Sequence, residues 1–419
     1  MRSLTILSLM LILSFTTFAV TAQTASGVCP GPVNRALQEL GTNCANMSRN
    51  SACYGFNAVD AVFSVPVEPN FFTATDERAD LLIIEALKTG ALNLAQNEWG
   101  VSLLNVQANL PSALPGQGVV FVLLGGVEVE GGVKPEDAVI PQTTLQVNLT
   151  AATDLRSAPN TPDWLASDVL DNVAAGASLS ADAIDPTGGW VRVIDGDKPG
   201  WIDRTAIAED AGSLTEVGPD SLTPMQAFFF RVGIGGVSCD EVPSLLAVQG
   251  PRDVAIDISV NEVNVRVTST IILQTSPPGD VIGDTLQLST ISGMAILNAD
   301  TPEQILVPPG YTIFIHLKPG VENLGIEGDL DDKAVEGDWF GLRPLTPEEL
   351  AQFSILNNVP DNLLNYQINV PEPLQCSGVG ACLAQLFFAD QGALDGARRV
   401  CAAGLLPIDV CEYLGIQQS

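Results

Sequence analysis

Eight cysteines, one histidine and 49 carboxylates are the side chains of this 419-residue sequence that could carry out chemistry. Hydrolysis by a Cys-His pair or a Ser-His-Asp triad would in either case run through His316, the only imidazole. No Gly-x-Ser-x-Gly turn accompanies it. A zinc site with several histidine ligands is excluded within one chain. His316 stands in Ile313-Phe314-Ile315-His316-Leu317, an apolar run that reads as a strand. Carboxylate-only catalysis survives this test, since a glycosidase needs just two acids at a set separation. No local pattern picks out such a pair, and no P-loop is present. The residue types therefore point to no catalytic group, no cofactor and no metal site.

The cysteines read as staples. They fall into an opening trio (Cys29, Cys44, Cys53), a lone Cys239, and a final set of Cys376, Cys382, Cys401 and Cys411. No Cys-x-x-Cys occurs, so disulfides in an oxidising compartment are the simpler reading. The final four can pair among themselves. The trio is odd in number, so Cys239 is expected to bond to Cys29, Cys44 or Cys53. The N-terminus agrees with export. Arg2 is the only charge before the apolar run Leu4 to Val20, and Val20-Thr21-Ala22 offers small residues for cleavage. A signal peptide over 1–22 is expected, with no membrane span after its removal. The formal charge of −31, from 49 acidic against 18 basic residues, disfavours a nucleic acid partner, because phosphate binding rests on Lys and Arg.

The elements that would carry these residues are mostly strands. Over 23–150 a short helix is expected at Pro32–Leu40, stopped by Gly41, followed by strands at Ala58–Val67, Trp99–Val106 and Gly118–Val129. Periodicity leaves Leu81–Leu87 open between strand and helix. Over 151–210 the chain reads Asp154-Leu155-Arg156-Ser157-Ala158-Pro159, then Trp190-Val191-Arg192-Val193, a tight turn at Asp195-Gly196-Asp197, and Gly200-Trp201-Ile202. These residues resemble the bacterial SH3-like domain, whose opening strand carries Asn-Val-Arg-Ser-Gly-Pro; here the Asn and the Gly are replaced. The resemblance covers roughly sixty residues and implies a small β-barrel that binds short peptides or serves as a spacer in secreted and cell-wall proteins. It nominates Trp190, Trp201 and Arg156 as ligand-binding residues. The alternative is that the two tryptophans fill the barrel core. Eleven acidic residues against Arg156, Arg192, Lys198 and Arg204 leave this segment at −7.

Over 211–320 the β pattern is clearest. Val254, Ile256, Ile258 and Val260 alternate with polar or small residues, Asn261-Glu262 reverses the chain, and Val263, Val265 and Val267 alternate on the way back. With Thr268-Ser269-Thr270, Ser292-Gly293 and Val307-Pro308-Pro309-Gly310, this stretch resembles the FecR-like β domain, which implies an envelope setting. Residues 321–341 read as an acidic linker. Thr346-Pro347-Glu348-Glu349 is a capping box flanked by a Leu345/Leu350 staple, opening a helix expected to reach about Leu356. Over 342–419 a helical, disulfide-rich region is expected. The fold class is thus mainly β and multidomain: an SH3-like barrel, a β-sandwich or rolled-sheet domain, and a stapled helical C-terminal region. The expected function is a non-catalytic exported binding or scaffold protein, with cell-wall peptides or another envelope protein as partner. An envelope sensor and a carboxylate-based glycoside hydrolase are the alternatives.

Overall fold

The computed structural model describes residues 30–114, 116–164, 167–232, 242–252, 254–275, 285–318 and 335–372. The chain is mainly β, with several antiparallel sheets. After α1 (Pro30–Asn43) come β1 (Ser51–Phe56), β2 (Val59–Phe63), β3 (Arg78–Asp80), β4 (Ile84–Thr89), β5 (Val101–Val106), β6 (Val119–Leu124) and β7 (Val127–Gly131). The middle of the chain forms β8 (Leu145–Asn148), β9 (Thr153–Arg156), β10 (Val169–Val173), β11 (Ser178–Ile184), β12 (Trp190–Asp195), β13 (Lys198–Asp203) and β14 (Thr215–Glu216). Then follow β15 (Ala227–Val232), β16 (Leu245–Gln249), β17 (Ile256–Val260), β18 (Val263–Val267), β19 (Thr270–Thr275) and β20 (Thr285–Ser292). The last strands are β21 (Ala295–Leu297), β22 (Ile305–Val307), β23 (Tyr311–Leu317) and β24 (Val335–Pro344), with α2 (Pro347–Phe353) behind them.

Two large sheets face one another. One runs β24-β23-β20-β19-β16-β6-β5-β1-β3, the other β2-β4-β7-β15-β17-β18-β21-β22. The regions 23–150 and 211–320, expected as separate domains, contribute strands to both. They meet where β6 pairs with β16 and β7 with β15. The reason is that β6 is buried on both faces. Phe121 and Leu123 point into the core between the sheets, while Val120, Val122 and Leu124 enter a second core on the outer side. A strand so placed needs a neighbour along each edge, and β5 and β16 supply them. The wiring also repeats. β1-β5-β6 over β2-β4-β7 has the same order as β16-β19-β20 over β17-β18-β21, so the sandwich is two units of one topology set side by side.

Turn residues mark where the chain changes sheet. The run read as one strand over Gly118–Val129 is two, because Gly125 adopts φ +76° and sends β7 to the opposite sheet. Gly293, at the equivalent point between β20 and β21, has φ +67°. A Cβ there would lie 2.4 Å from that of Ser269, so both conformation and space require glycine. The hairpin β17–β18 turns through Asn261 and Glu262, both at positive φ, as its alternation predicts. Leu81–Leu87 resolves into the turn before β4 and most of that strand.

The outer core over the first sheet is closed by α1 and by the segment around α2. Gly41 does not stop α1, which continues to Asn43; a Cβ on Gly41 would meet Cγ of Pro360 at 2.6 Å, so the glycine admits the C-terminal segment. The capping box is present, with Thr346 Oγ1 accepting from Glu349 N, and Leu345 and Leu350 are both buried. Residues 335–341, expected as linker, belong to β24. Burial opposes the charge on Glu349, yet the Arg343 guanidinium, the Thr346 amide and Gln287 hold its carboxyl below the usual 4.5. A depressed acid stabilises the fold above its unfolded value and loses that contribution as pH falls through its folded one. Glu349→Gln is therefore expected to cost about 1 kcal/mol at pH 7. The gap to wild type should close in urea titrations as pH drops below about 4.

Cys44 and Cys53 form a disulfide, Cα–Cα 5.7 Å, that ties the end of α1 to β1. Both are thus spent on each other, and neither is open to Cys239. Cys29, Cys239, Cys376, Cys382, Cys401 and Cys411 lie outside the described residues, as do residues 1–22, expected as a signal peptide, and residues 373–419 of the region expected to be helical. Among the described residues, no helix is long and apolar enough to cross a membrane. His316 lies exposed in β23, its ring stacked 4.6 Å from that of Phe340.

Candidate functional site

The middle strands form a third sheet, β10-β9-β13-β12-β11-β14, with β8 also paired to β11. This unit is wider than 151–210: it opens at Leu145 and its last strand ends at Glu216. The β12–β13 hairpin sets the geometry. Trp190 pairs with Asp203 and Arg192 with Trp201, so these four share one face. Val191, Val193 and Ile202 take the other face and fill the unit's own core. A short 3-10 turn, Arg204–Ala206, follows β13, capped by the Asp203 carboxylate on Thr205 N at 2.8 Å.

Along the Trp190 face, the environment changes from one end to the other. Ile194 reaches into the core of the large sandwich. Arg192, next in line, donates from Nε to Asp182 Oδ1 at 2.8 Å, with side-chain exposures of 6% and 0%. Asp182 stands at a bulge in β11, between the residues that pair with Val193 and Arg192, and the bulge turns its side chain onto this face. At the far end Trp201 is buried and packs with Ala183, Val217, Trp164 and Trp190. The rings of Trp164 and Trp201 lie 5.5 Å apart, tilted by 57°.

Beside this aromatic cluster is a cleft of about 360 Å³. The β9–β10 loop contributes Thr161, Asp163 and Trp164; the β11–β12 loop contributes Asp185, Pro186 and Thr187; the segment after β14 adds Pro219 and Asp220. Each wall is held by hydrogen bonds. Asp185 accepts from Trp190 N at 2.7 Å and from Thr187 N and Oγ1 at 3.1 and 2.5 Å. Ser157 and Asp168 close the base of the β9–β10 loop, Asp168 N donating to Ser157 Oγ at 2.9 Å. The Thr161 hydroxyl is sealed from solvent and has no hydrogen-bond partner among the described residues. The lining carries three carboxylates and no cation. Among the described residues, no group of His, Cys, Asp or Glu is placed to hold a metal ion.

The three nominated residues do not form a groove together. Trp201 is a core residue, 5% exposed, because Trp164 covers it. Trp190 is half-buried in the same cluster and does not line the cleft. Arg156 donates from Nη1 to Ser167 O at 2.8 Å and lies 3.5 Å from Asp154, so it anchors the β9–β10 loop rather than facing a ligand. Sequence reasoning missed Trp164. Its signal was available: in Asn160-Thr161-Pro162-Asp163-Trp164 a large aromatic sits in a polar, proline-containing turn with no strand face to bury it. No family model matches the chain, and no curated protein or solved structure matches it.

Proposed function

We propose that this is a non-catalytic, exported binding and scaffold protein whose large sandwich carries a single peptide-recognition unit, the SH3-like segment. The observation that supports this most is the cleft between the β9–β10 and β11–β12 loops, with Trp164 as its aromatic wall and Trp201 packed behind it at a tilt. An aromatic floor between two pinned loops suits an extended peptide, whose own ordering cost is the main obstacle to binding. The β12–β13 hairpin and the Arg156-Ser157-Ala158-Pro159 run at the loop base accord with an SH3-like reading. Asp185 accepts three hydrogen bonds and acts as a loop pin, which favours a structural role for it over a catalytic one. The buried network around Arg192 holds the unit against the sandwich, which suits a scaffold role.

The test is calorimetric titration of the full chain with soluble cell-wall peptides. Trp164→Ala removes an anchor of the hot-spot kind and should weaken binding by roughly 30-fold or more. Binding untouched by that substitution would move the site elsewhere, and no binding by the wild type would remove the peptide-recognition reading.

A further inference from the structure

We infer that the cleft selects peptides bearing a lysine or arginine side chain, with the cation seated against Trp164 and between Asp163 and Asp220. This rests on the reading of the cleft as a peptide site. Three observations carry it. The lining holds Asp163, Asp185 and Asp220 and no positive group, so an acidic ligand would enter against repulsion from every wall. None of these three carboxylates takes part in an ion pair among the described residues, so their charge is not neutralised within the fold. Trp164 supplies an aromatic face in the same cleft, and an indole is the best side chain for holding a cation over a ring.

The hydrogen-bond inventory narrows the roles. Both Asp185 oxygens already accept from Trp190 and Thr187, so Asp185 contributes field rather than a free acceptor. No hydrogen bond involves the carboxylates of Asp163 or Asp220 among the described residues, which leaves them able to accept from an ammonium or guanidinium. A volume of about 360 Å³ fits one long side chain with its flanking backbone, not a folded domain. The carboxylates are not placed to hold a metal, which keeps the cleft open to an organic cation.

The experiment uses an array of randomised hexapeptides probed with the labelled full chain, as wild type, Trp164→Ala and Asp163→Asn/Asp220→Asn. Trp164→Ala leaves the charge of −31 untouched and so separates cleft recognition from general attraction of cations to an acidic protein. The expected result is enrichment of Lys and Arg in bound peptides. A lysine peptide should bind at least ten times more tightly than its acetyl-lysine counterpart. That preference should fall to within about threefold in the double asparagine variant and weaken in 0.5 M salt, since exposed charges are screened. Binding that needs Trp164 yet shows no Lys or Arg preference would overturn the charge selection and leave the peptide site standing. Binding indifferent to Trp164, or absent, would overturn both.

Discussion

Asp182→Ala lowers the unfolding free energy by about 3–5 kcal/mol, the range for removing one partner of a buried ion pair. Asp182 is a buried carboxylate that acts on two guanidiniums, those of Arg192 and Arg49. Arg192 binds it through Nε at 2.8 Å and Nη2 at 3.0 Å and reaches Asn109 O with Nη1 at 3.2 Å. Asp182 also accepts from Ser112 N. Arg49 donates to the carbonyls of Pro111, Leu114 and Gln117 in the same loop. Burial pushes its guanidinium down to about 10, and the Asp182 charge is what raises it against that burial. Removing Asp182 leaves the buried Arg192 guanidinium without its counter-charge and takes away the charge that offsets burial at the partly buried Arg49. The ΔΔG comes from urea unfolding of the full chain. Replacing the pair together, as Asp182→Ala with Arg192→Met, should recover much of the loss, because the fully buried guanidinium is then removed along with its counter-ion and only the partly buried Arg49 loses a neighbouring charge. A cost below about 1 kcal/mol for Asp182→Ala would mean the pair is solvated and does not hold the unit to the sandwich.

Phe121→Ala costs a similar amount, about 3–5 kcal/mol, by leaving a cavity between the two large sheets. Phe121 on β6 is fully buried, and its ring meets that of Phe228 on β15 at 5.1 Å in an edge-on arrangement. The contact joins the early strands in one sheet to the later strands in the other. Unfolding of the variant, followed by far-ultraviolet circular dichroism and by an amide-exchange probe in β18, should shift as a single transition. Two transitions with only the earlier one moved would mean that 23–150 and 211–320 fold independently. Leu170→Ala, 48% exposed on β10, is the matched control and should change stability by less than about 0.5 kcal/mol.

What could be read in advance follows the range of the interaction. The β17–β18 hairpin announces itself because its alternation and its Asn-Glu reversal are neighbours in the chain. The capping box needs only Thr346 and Glu349, three residues apart. The β12–β13 hairpin is legible for the same reason. Gly41 reads as a stop by local propensity, but its meaning lies with Pro360, far along the chain. The aromatic residues of the candidate site were half legible. Trp190 and Trp201 stand out on strands, whereas the half-buried Trp164 becomes a wall of the cleft only because its loop folds back over Trp201.

The amino-acid sequence alone determined the strand-rich class, the acidic charge, the local hairpins and the helix cap, since each depends on dihedral preferences and side chains a few residues apart. Tertiary structure alone decided that β6 pairs with β16, that Asp182 closes on Arg192, and that loops around Asp163 and Asp185 converge on one cleft. Valine- and leucine-rich strands are interchangeable as partners until both faces and both edges of each have been filled. Their pairing is therefore settled by how the whole core packs.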